Sequence, residues 1–420
     1  MDTFVHSSFG TVVMTLFQGI FTAPSWQTFT ALACGWALAG ERHTITTYMW
    51  LTGAATVKHF SRFYVFLGCP LYHKRWQLWG AVIRLAAQWV PAGEVIRVSF
   101  DDTTKKKVGT HIEGLARYRN GAGSARQEYR TLRGVNFVLG IMHIPLQRWP
   151  GHYLSVPIGC ELYLKAPQAH TLNMPYQSRS QLARTILDFV AEQLPGRSIR
   201  SLADGGYATK DYIRQLPKAT HVVGRFPISA KLYELPPSPT PKRRGAPRKK
   251  GDLIGSPKTL AQITTGWAPH PSEAGAEIHA WDGLWHAVVP GRLVRVVVLR
   301  RTGKPTLQQQ GQRKPPPAIE AFFTSIRLRR DSEVSVRYAE GLNSGEEFRH
   351  PSEHRPTWDF GTKVFRFSSV FVSTAARAYA TSPSGRACPK AACIVSRRPW
   401  SAAIAIRNPG CGKPKTVGSG

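Results

Sequence analysis

The middle of the chain places three short apolar runs, one amphipathic segment and a further apolar run in succession, and this order restricts the possible folds most. The runs Val95–Phe100, Gly134–Ile144 and His152–Leu164 predict three consecutive strands. Residues Ser180–Leu194 have the apolar spacing of an amphipathic helix, and Ile199–Leu202 predicts a fourth strand. Because strands precede and follow a helix, we expect a mixed α/β sheet.

Regions of different composition flank this core. Residues 9–91 are rich in Trp, Phe, Leu and Ala with helical spacing, which predicts a helical N-terminal region. A second core helix is expected at Thr209–Leu216, and further strands at Ala276–Trp285, Leu293–Arg300 and Glu320–Ile326. We divide the chain into a helical region (1–91), the first part of the core (92–235), a Pro-rich basic flexible loop (236–256), a β-rich insertion (257–330), a degraded end of the core (331–360) and a basic disordered tail (361–420).

The charge balance points to a polyanionic partner. The chain has 56 Lys and Arg against 25 Asp and Glu, a formal charge of +31, which is typical of proteins that bind nucleic acid or an anionic membrane. No apolar stretch reaches the ~18 residues of a membrane span. The six cysteines are scattered, so we expect no disulfide framework and a reducing cytoplasm. ATP and NAD are not implied, because their phosphate-binding motifs are missing.

Two carboxylates follow predicted strands. Asp101 and Asp102 come directly after the run Val95–Phe100, and Asp204 follows Ile199–Ala203. Carboxylates at a strand end suit Mg²⁺ or Mn²⁺, which prefer hard oxygen ligands. Each motif alone is also compatible with a strand that leaves the core into a solvated turn.

Together, one Asp after the first strand and another after the fourth are the arrangement of a ribonuclease H-like nuclease. The sequence here resembles the bacterial insertion-sequence transposases of the DDE type, in the broad IS-four-like group. The matching stretches are Phe21–Thr46, Val57–Phe66, Val98–Tyr118, Leu202–Leu216, His221–Phe226 and Val336–Glu340. The resemblance covers about residues 20–340, and its motifs are specific in combination and weak singly.

The resemblance implies a transposase that cleaves DNA at the ends of an insertion sequence and joins these ends to target DNA. It implies a helical DNA-binding region, a ribonuclease H-like core and a β-rich insertion before the last catalytic position. Asp102 and Asp204 take the first two catalytic places, and with a Glu they would hold Mg²⁺ or Mn²⁺. The implied partners are double-stranded DNA, both terminal repeats and target, and a second copy of the chain in a synaptic homodimer. The implied location is the bacterial cytoplasm, on DNA.

Basic residues in two regions are the predicted DNA contacts. These are Arg42, Lys58, His59 and Arg62 in the helical region and Lys242, Arg243, Arg244, Arg248, Lys249 and Lys250 in the loop. Residues 244–248 resemble an AT-hook core with Ala in place of the central Arg, a motif that enters the minor groove. The other interpretation is a loop that binds phosphates without sequence preference.

The third catalytic place departs from the family pattern, which is Tyr, two residues, Arg, three residues, Glu, six residues and Lys. When the pattern is aligned on Tyr338, Gly341, Gly345 and Ser352 occupy the positions of its Arg, Glu and Lys. Glu346 and Glu347 lie one and two positions late and are both candidates for the third carboxylate, of which we take Glu346.

The composition changes at the same place. No leucine occurs in the 78 residues after Leu342, and no Asp or Glu occurs from Gly361 onward. A reading frame displaced after codon 340 explains both changes. A divergent but functional ending is the alternative. A further one is a defective copy that only binds DNA.

We predict that the chain as written has little or no strand-transfer activity. Gly341 and Gly345 disfavour the helix that would carry a Glu, by up to about 1 kcal/mol each relative to Ala. Pro351 would interrupt a helix begun at Glu346. The measurement compares this chain with a version whose downstream frame is restored, in one transposition assay. Equal activity would show that the ending is competent.

Overall fold

A computed structural model describes residues 15–68, 74–109, 112, 114–119, 130–149, 151–214, 216–237, 248–270, 273, 275–301 and 318–325. The predicted roles of Lys242, Arg243, Arg244 and Glu346, and the interpretation of the tail, lie outside these residues.

The N-terminal region is helical, as predicted. Its helices are α1 (Ala23–Leu38), α2 (Ile45–Leu51), α3 (Phe60–Gly68) and α4 (Arg75–Gln88). Helices α1–α3 share one apolar cluster, which includes Leu32, Tyr48 and Phe63. A Cβ at Gly35 would lie 2.6 Å from the Cα of Tyr48, so α1 and α2 meet through a glycine.

Helix α4 packs differently from the first three helices. Its buried residues Ile83 and Ala86 belong to the main apolar cluster, together with Ile96 and Val98 of the sheet. The helix therefore joins the core, although it precedes the first strand in sequence. The limits of the domains stay a prediction.

The remaining elements alternate in the order expected of an α/β domain. The strands are β1 (Ile96–Lys106), β2 (Ala116–Arg119), β3 (Thr131–Pro145), β4 (Tyr153–Tyr163), β5 (Ile199–Ala203), β6 (Thr220–Arg225), β7 (Leu232–Tyr233), β8 (Leu253–Gly255), β9 (Ala268–Pro269), β10 (Ala276–Leu284), β11 (Leu293–Arg301) and β12 (Ile319–Thr324). The helices are α5 (Ala166–Thr171), α6 (Arg179–Gln193), α7 (Lys210–Ile213) and α8 (Pro257–Leu260).

Five strands form the centre of the sheet, in the order β4-β3-β1-β5-β6. Strand β3 is antiparallel to both β1 and β4, whereas β5 is parallel to β1 and β6 is parallel to β5. This is a ribonuclease H-like mixed sheet, and the predicted fold class is confirmed. The β-rich segment continues the same sheet, because β12 pairs with β6 and is followed by β11 and β10.

A cap at its start and a close contact with the sheet fix the position of helix α6. At its start, Ser178 accepts a hydrogen bond from Gln181 N (3.2 Å), and Gln181 Oε1 accepts one from Ser178 N (2.8 Å), a reciprocal cap that sets the first helical residue. A Cβ at Gly140 or Gly159 would lie 2.8 or 2.6 Å from the side chain of Ile186. The helix therefore rests directly on β3 and β4.

Three sequence predictions differ from the structure. Strand β1 does not end at Phe100 but continues to Lys106, because its polar half still pairs with β3. Helix α7 ends at Ile213 instead of Leu216, since Pro217 disfavours helical geometry before it and Arg214 is already extended at ψ 144°. Part of the predicted flexible loop is strand β8, which pairs with β7. Among the described helices, none has the length and apolarity needed to cross a membrane.

We expect a pH-dependent stability that originates at His143. This histidine is buried between Ser99 Oγ (2.7 Å) and Ser155 Oγ (3.2 Å), and burial, with the nearby Arg97, lowers its pKa to about 4. The unfolded chain takes up a proton near pH 6.5, so stability is full above that pH and is lost as the pH falls toward 4.

Between pH 7 and pH 5 this group accounts for a loss of about 2 kcal/mol in the free energy of unfolding. Urea unfolding of His143→Gln at both pH values should show a pH dependence smaller by that amount. His152→Gln changes an exposed histidine and is the matched control. An unchanged pH dependence in His143→Gln would contradict the assignment.

Candidate functional site

The two candidate aspartates lie on neighbouring parallel strands. The register of β1 and β5 pairs Phe100 with Ala203, so Asp204 follows one position beyond the last pair. The Cα atoms of Asp102 and Asp204 are then about 6 Å apart, from the strand spacing and the rise of one residue. Asp204 is exposed and precedes a short 3-10 turn, Gly205–Tyr207, which its side chain does not cap. Its carboxylate is open to a ligand.

Asp102 is held by a polar network on the face that α6 covers. Its Oδ2 accepts a hydrogen bond from Asn136 Nδ2 (3.0 Å) and forms an ion pair with Arg179 Nε (3.2 Å). Asn136 is fully buried, donates also to Thr104 Oγ1 (2.8 Å) and accepts from Arg179 Nε (3.0 Å). One carboxylate oxygen is therefore fixed by two donors.

Arg179 reaches Asp102 because it is the first residue of α6. Its guanidinium carbon also lies 4.5 Å from the ring centroid of Tyr163, a cation–π contact. A cation in the first turn opposes the helix dipole, at a cost of about 0.3–1 kcal/mol. The ion pair with Asp102 offsets this cost. About a third of each side chain in the pair is exposed, so solvent screens the attraction.

Tyr207 is a buried residue close enough to both acids of β1 to be affected by their charge. It is 3% exposed, and its hydroxyl has no hydrogen-bond partner among the described residues. Burial raises the pKa of this hydroxyl, and the charges of Asp102 and Asp101 raise it further. An unpaired donor beside two carboxylates is a polar group that can serve a bound ligand or a rearranged Asp102.

Asp101 points to the opposite face of β1 from Asp102. Successive side chains of a strand alternate, and Asp102 shares its face with Phe100, whereas Asp101 shares its face with Ser99. In the register Ser99 pairs with Leu202, and Asp204 lies level with Asp101. Both acids of β1 therefore border the open end of β5, one on each face.

The carboxylates at this end of β1 and β5 are the kind of group that a divalent cation takes, and the register puts Asp204 on the face of Asp101, opposite to that of Asp102. Carboxylate oxygens are the donors that Mg²⁺ and Mn²⁺ prefer, and Asp102 and Asp204 supply two such groups. No cluster of three or more His, Cys, Asp or Glu able to hold a metal occurs within the described ranges. A third ligand must come from elsewhere, and Glu346 lies outside those ranges.

Two of the four predicted DNA-contacting residues of the helical region form hydrogen bonds within the chain. Lys58 Nζ donates to the carbonyl oxygen of Pro24 (2.7 Å) and to Thr28 Oγ1 (3.1 Å), which ties it to α1. His59 Nδ1 lies 2.8 Å from Ser61 Oγ. Arg42 and Arg62 are exposed.

The described part of the basic loop is open to solvent. Arg248 lies 4.0 Å from Asp252, Lys249 is exposed, and Lys250 Nζ is 4.0 Å from the ring centroid of Tyr233. Among the predicted basic residues that the structure describes, none forms an ion pair with Asp102. Their role in DNA binding stays a prediction.

Sequence reasoning missed Asn136 and Arg179. Asn136 lies within the apolar run of β3, where an amide that interrupts a buried strand is a signal of a specific partner. Arg179 follows the capping serine of α6, and a basic residue at that position is electrostatically unfavourable unless an anion is near. Both signals are visible in the sequence, but the partner is not.

Comparison with protein families gives one result. A family model described as DDE superfamily endonuclease matches residues 15–283, which include β1, β5 and the two aspartates. No curated protein matches the chain.

We predict that Arg179 competes with a divalent cation for Asp102. The change Arg179→Gln should tighten Mn²⁺ binding two- to five-fold, since an ion pair of this exposure contributes about 0.5–1 kcal/mol. Mn²⁺ binding to the full chain, measured by electron paramagnetic resonance, tests this. Arg295→Gln removes a guanidinium that is paired with Asp282 (2.9 Å) and should leave Mn²⁺ binding unchanged. Weaker binding by Arg179→Gln would instead mean that Arg179 orients Asp102 for the metal.

Proposed function

Because the chain belongs to the DDE superfamily of endonucleases, we propose that it is a transposase that cuts DNA at the ends of an insertion sequence and joins these ends to target DNA. Family membership implies phosphoryl transfer on DNA with divalent metal ions. The observation that carries the finer proposal is the pairing of β1 with β5, which brings Asp102 and Asp204 to one edge of the sheet.

The proposed catalytic roles rest on charge. Asp102 and Asp204, with Glu346 as the candidate third carboxylate, would hold Mg²⁺ or Mn²⁺. The chemistry that a bound metal would supply is activation of a water or a 3′ hydroxyl and stabilisation of the leaving oxygen. The carboxylates would compensate the positive charge of the metal beside a phosphate. No side-chain base is required.

The chain's own residues contribute by orientation. Asn136 holds Oδ2 of Asp102 in place, so the carboxylate does not have to be ordered when a ligand binds. Arg179 balances the charge of Asp102 while no cation is bound.

DNA binding is proposed to be electrostatic in large part. The formal charge of +31 supports phosphate contacts, and the helical region is the proposed reader of the terminal repeats. Cleavage and joining of two ends at one target imply two active sites, which supports a homodimer in the synaptic complex. A defective copy that only binds DNA is the second candidate, favoured by the departure of the sequence after Glu340.

The proposal predicts that DNA cleavage can be lost while DNA binding is retained. The double change Asp102→Ala, Asp204→Ala should abolish Mg²⁺-dependent cleavage of DNA that carries the element ends. Binding of the same DNA should stay equal or become tighter, because the change removes two negative charges. Affinity should still fall steeply between about 50 and 200 mM salt, as released counterions require.

Asp211→Ala with Asp252→Ala is the matched control, since it removes two exposed carboxylates that do not lie at the ends of β1 and β5. The single variants Asp101→Ala and Asp102→Ala decide which acid of β1 takes part. Cleavage that survives the loss of Asp102 and Asp204 would refute the proposed site. Binding without any cleavage by the unaltered chain would favour the defective copy.

A further inference from the structure

One end of the sheet carries a surface charge that the fold itself does not explain. Strands β1 and β3 extend beyond the end of β5, and β2 pairs with this extension. We call residues 103–109, 114–119 and 130–135 the basic tip. Between residues 103 and 135 the sequence has eight Lys or Arg and two Glu, and no acidic residue lies among the described residues of the tip.

The cations of the basic tip lie on one face. Arg117 of β2 is directly opposite Arg133 of β3, and directly opposed residues share a face. Val135, two positions after Arg133, is opposite Lys105 of β1, which places Lys105 on that face as well. All three side chains belong to exposed residues. It is also the face of Asp101.

This arrangement is unfavourable for the isolated chain. Like charges directly opposite each other destabilise a sheet, whereas a favourable cross-strand pair contributes about 0.2–1 kcal/mol. Arg133 donates to the neutral carbonyl oxygen of Gly109 (3.1 Å), and it forms no ion pair with the described carboxylates. Lys165 adds a further cation, since its Nζ donates to the carbonyl oxygen of Arg117 (2.7 Å). A polyanion that contacts this face would relieve the repulsion.

The distance to the candidate site suits a DNA strand. Lys105 lies on the face of Asp101 and follows it by four residues of the same strand, or about 13 Å along β1. A DNA strand rises about 3.4 Å per nucleotide, so this span corresponds to about four nucleotides. A strand with one phosphate at Asp101 and Asp204, which are level in the register, would have phosphates about four nucleotides away over the basic tip.

We propose that the basic tip binds the DNA backbone about four nucleotides from the bond that is cut, through Lys105, Arg117 and Arg133. This inference rests on the proposed function, and it adds a surface outside the helical region and the loop. The contacts are to phosphates, so they position DNA without reading its sequence.

The test replaces the opposed pair by Arg117→Gln with Arg133→Gln in the full chain. Binding to a mixed-sequence DNA duplex is measured over a salt series, together with the melting temperature. We expect the slope of log affinity against log salt to become less steep by about two, and affinity to fall roughly 10- to 100-fold near 0.1 M salt. The melting temperature should stay equal or rise, because a repulsive pair is removed.

Two further variants control the experiment. Lys218→Gln with Arg292→Gln removes the same charge from exposed residues that precede β6 and β11, at the opposite end of the strands from the basic tip, and should leave the slope unchanged. Arg117→Lys with Arg133→Lys keeps the charge and should retain the slope. A variant that loses affinity through misfolding would show a lower melting temperature, which contradicts the proposal.

The outcomes distinguish the two proposals. If the glutamine pair binds DNA like its control while the unaltered chain still binds and cleaves, the basic tip has no role and the proposed function stands. If the unaltered chain binds DNA but cleaves it with neither Mg²⁺ nor Mn²⁺, the proposed function fails. Weaker DNA binding by the glutamine pair would in that case still support the basic tip as a DNA-binding surface. If the unaltered chain binds no DNA, both proposals are overturned.

Discussion

The parallel pairing of β1 with β5 is the contact on which the candidate site depends. It is five residue pairs long and ends at Phe100 and Ala203. The apolar partners before this point are buried, and the polar residues after it are not. A shift of one residue would turn every side chain of one strand to the other face and separate Asp102 from Asn136 and Arg179. The burial of the two apolar runs therefore also fixes the positions of the acids.

The position of helix α6 on the sheet determines which cation lies next to Asp102. The reciprocal cap at Ser178 and the close contact of Ile186 with two glycines hold α6 in one position on the sheet. Arg179 therefore lies next to Asp102, because it is the first residue of α6 and the position of this helix is fixed. The helix dipole opposes a cation there, and the carboxylate compensates for it. The attraction is modest, since both groups are partly in water.

The sequence predicted the architecture better than the details of the site. Apolar runs located β3, β4, β5, β10 and β11 within a few residues, because strands that are buried on both faces are apolar along most of their length. The second half of β1 was missed, since Asp102 to Lys106 are held by pairing with β3 and not by burial. Asp102 was singled out, but not Asn136, Arg179 or the facing cations of the basic tip. These depend on residues far apart in sequence, which only the register of the strands brings together.

The first turn of α6 has a kinetic consequence. The ends of helices open more often than their centres, with free energies well below that of global unfolding. The hydrogen bonds of the Ser178 cap must break when this turn opens, and Arg179 moves with the backbone. Each opening leaves Asp102 with Asn136 as its remaining partner in the network. The local charge at the carboxylate thus alternates between a neutralised and a bare state, at a rate set by the fraying of one helical turn.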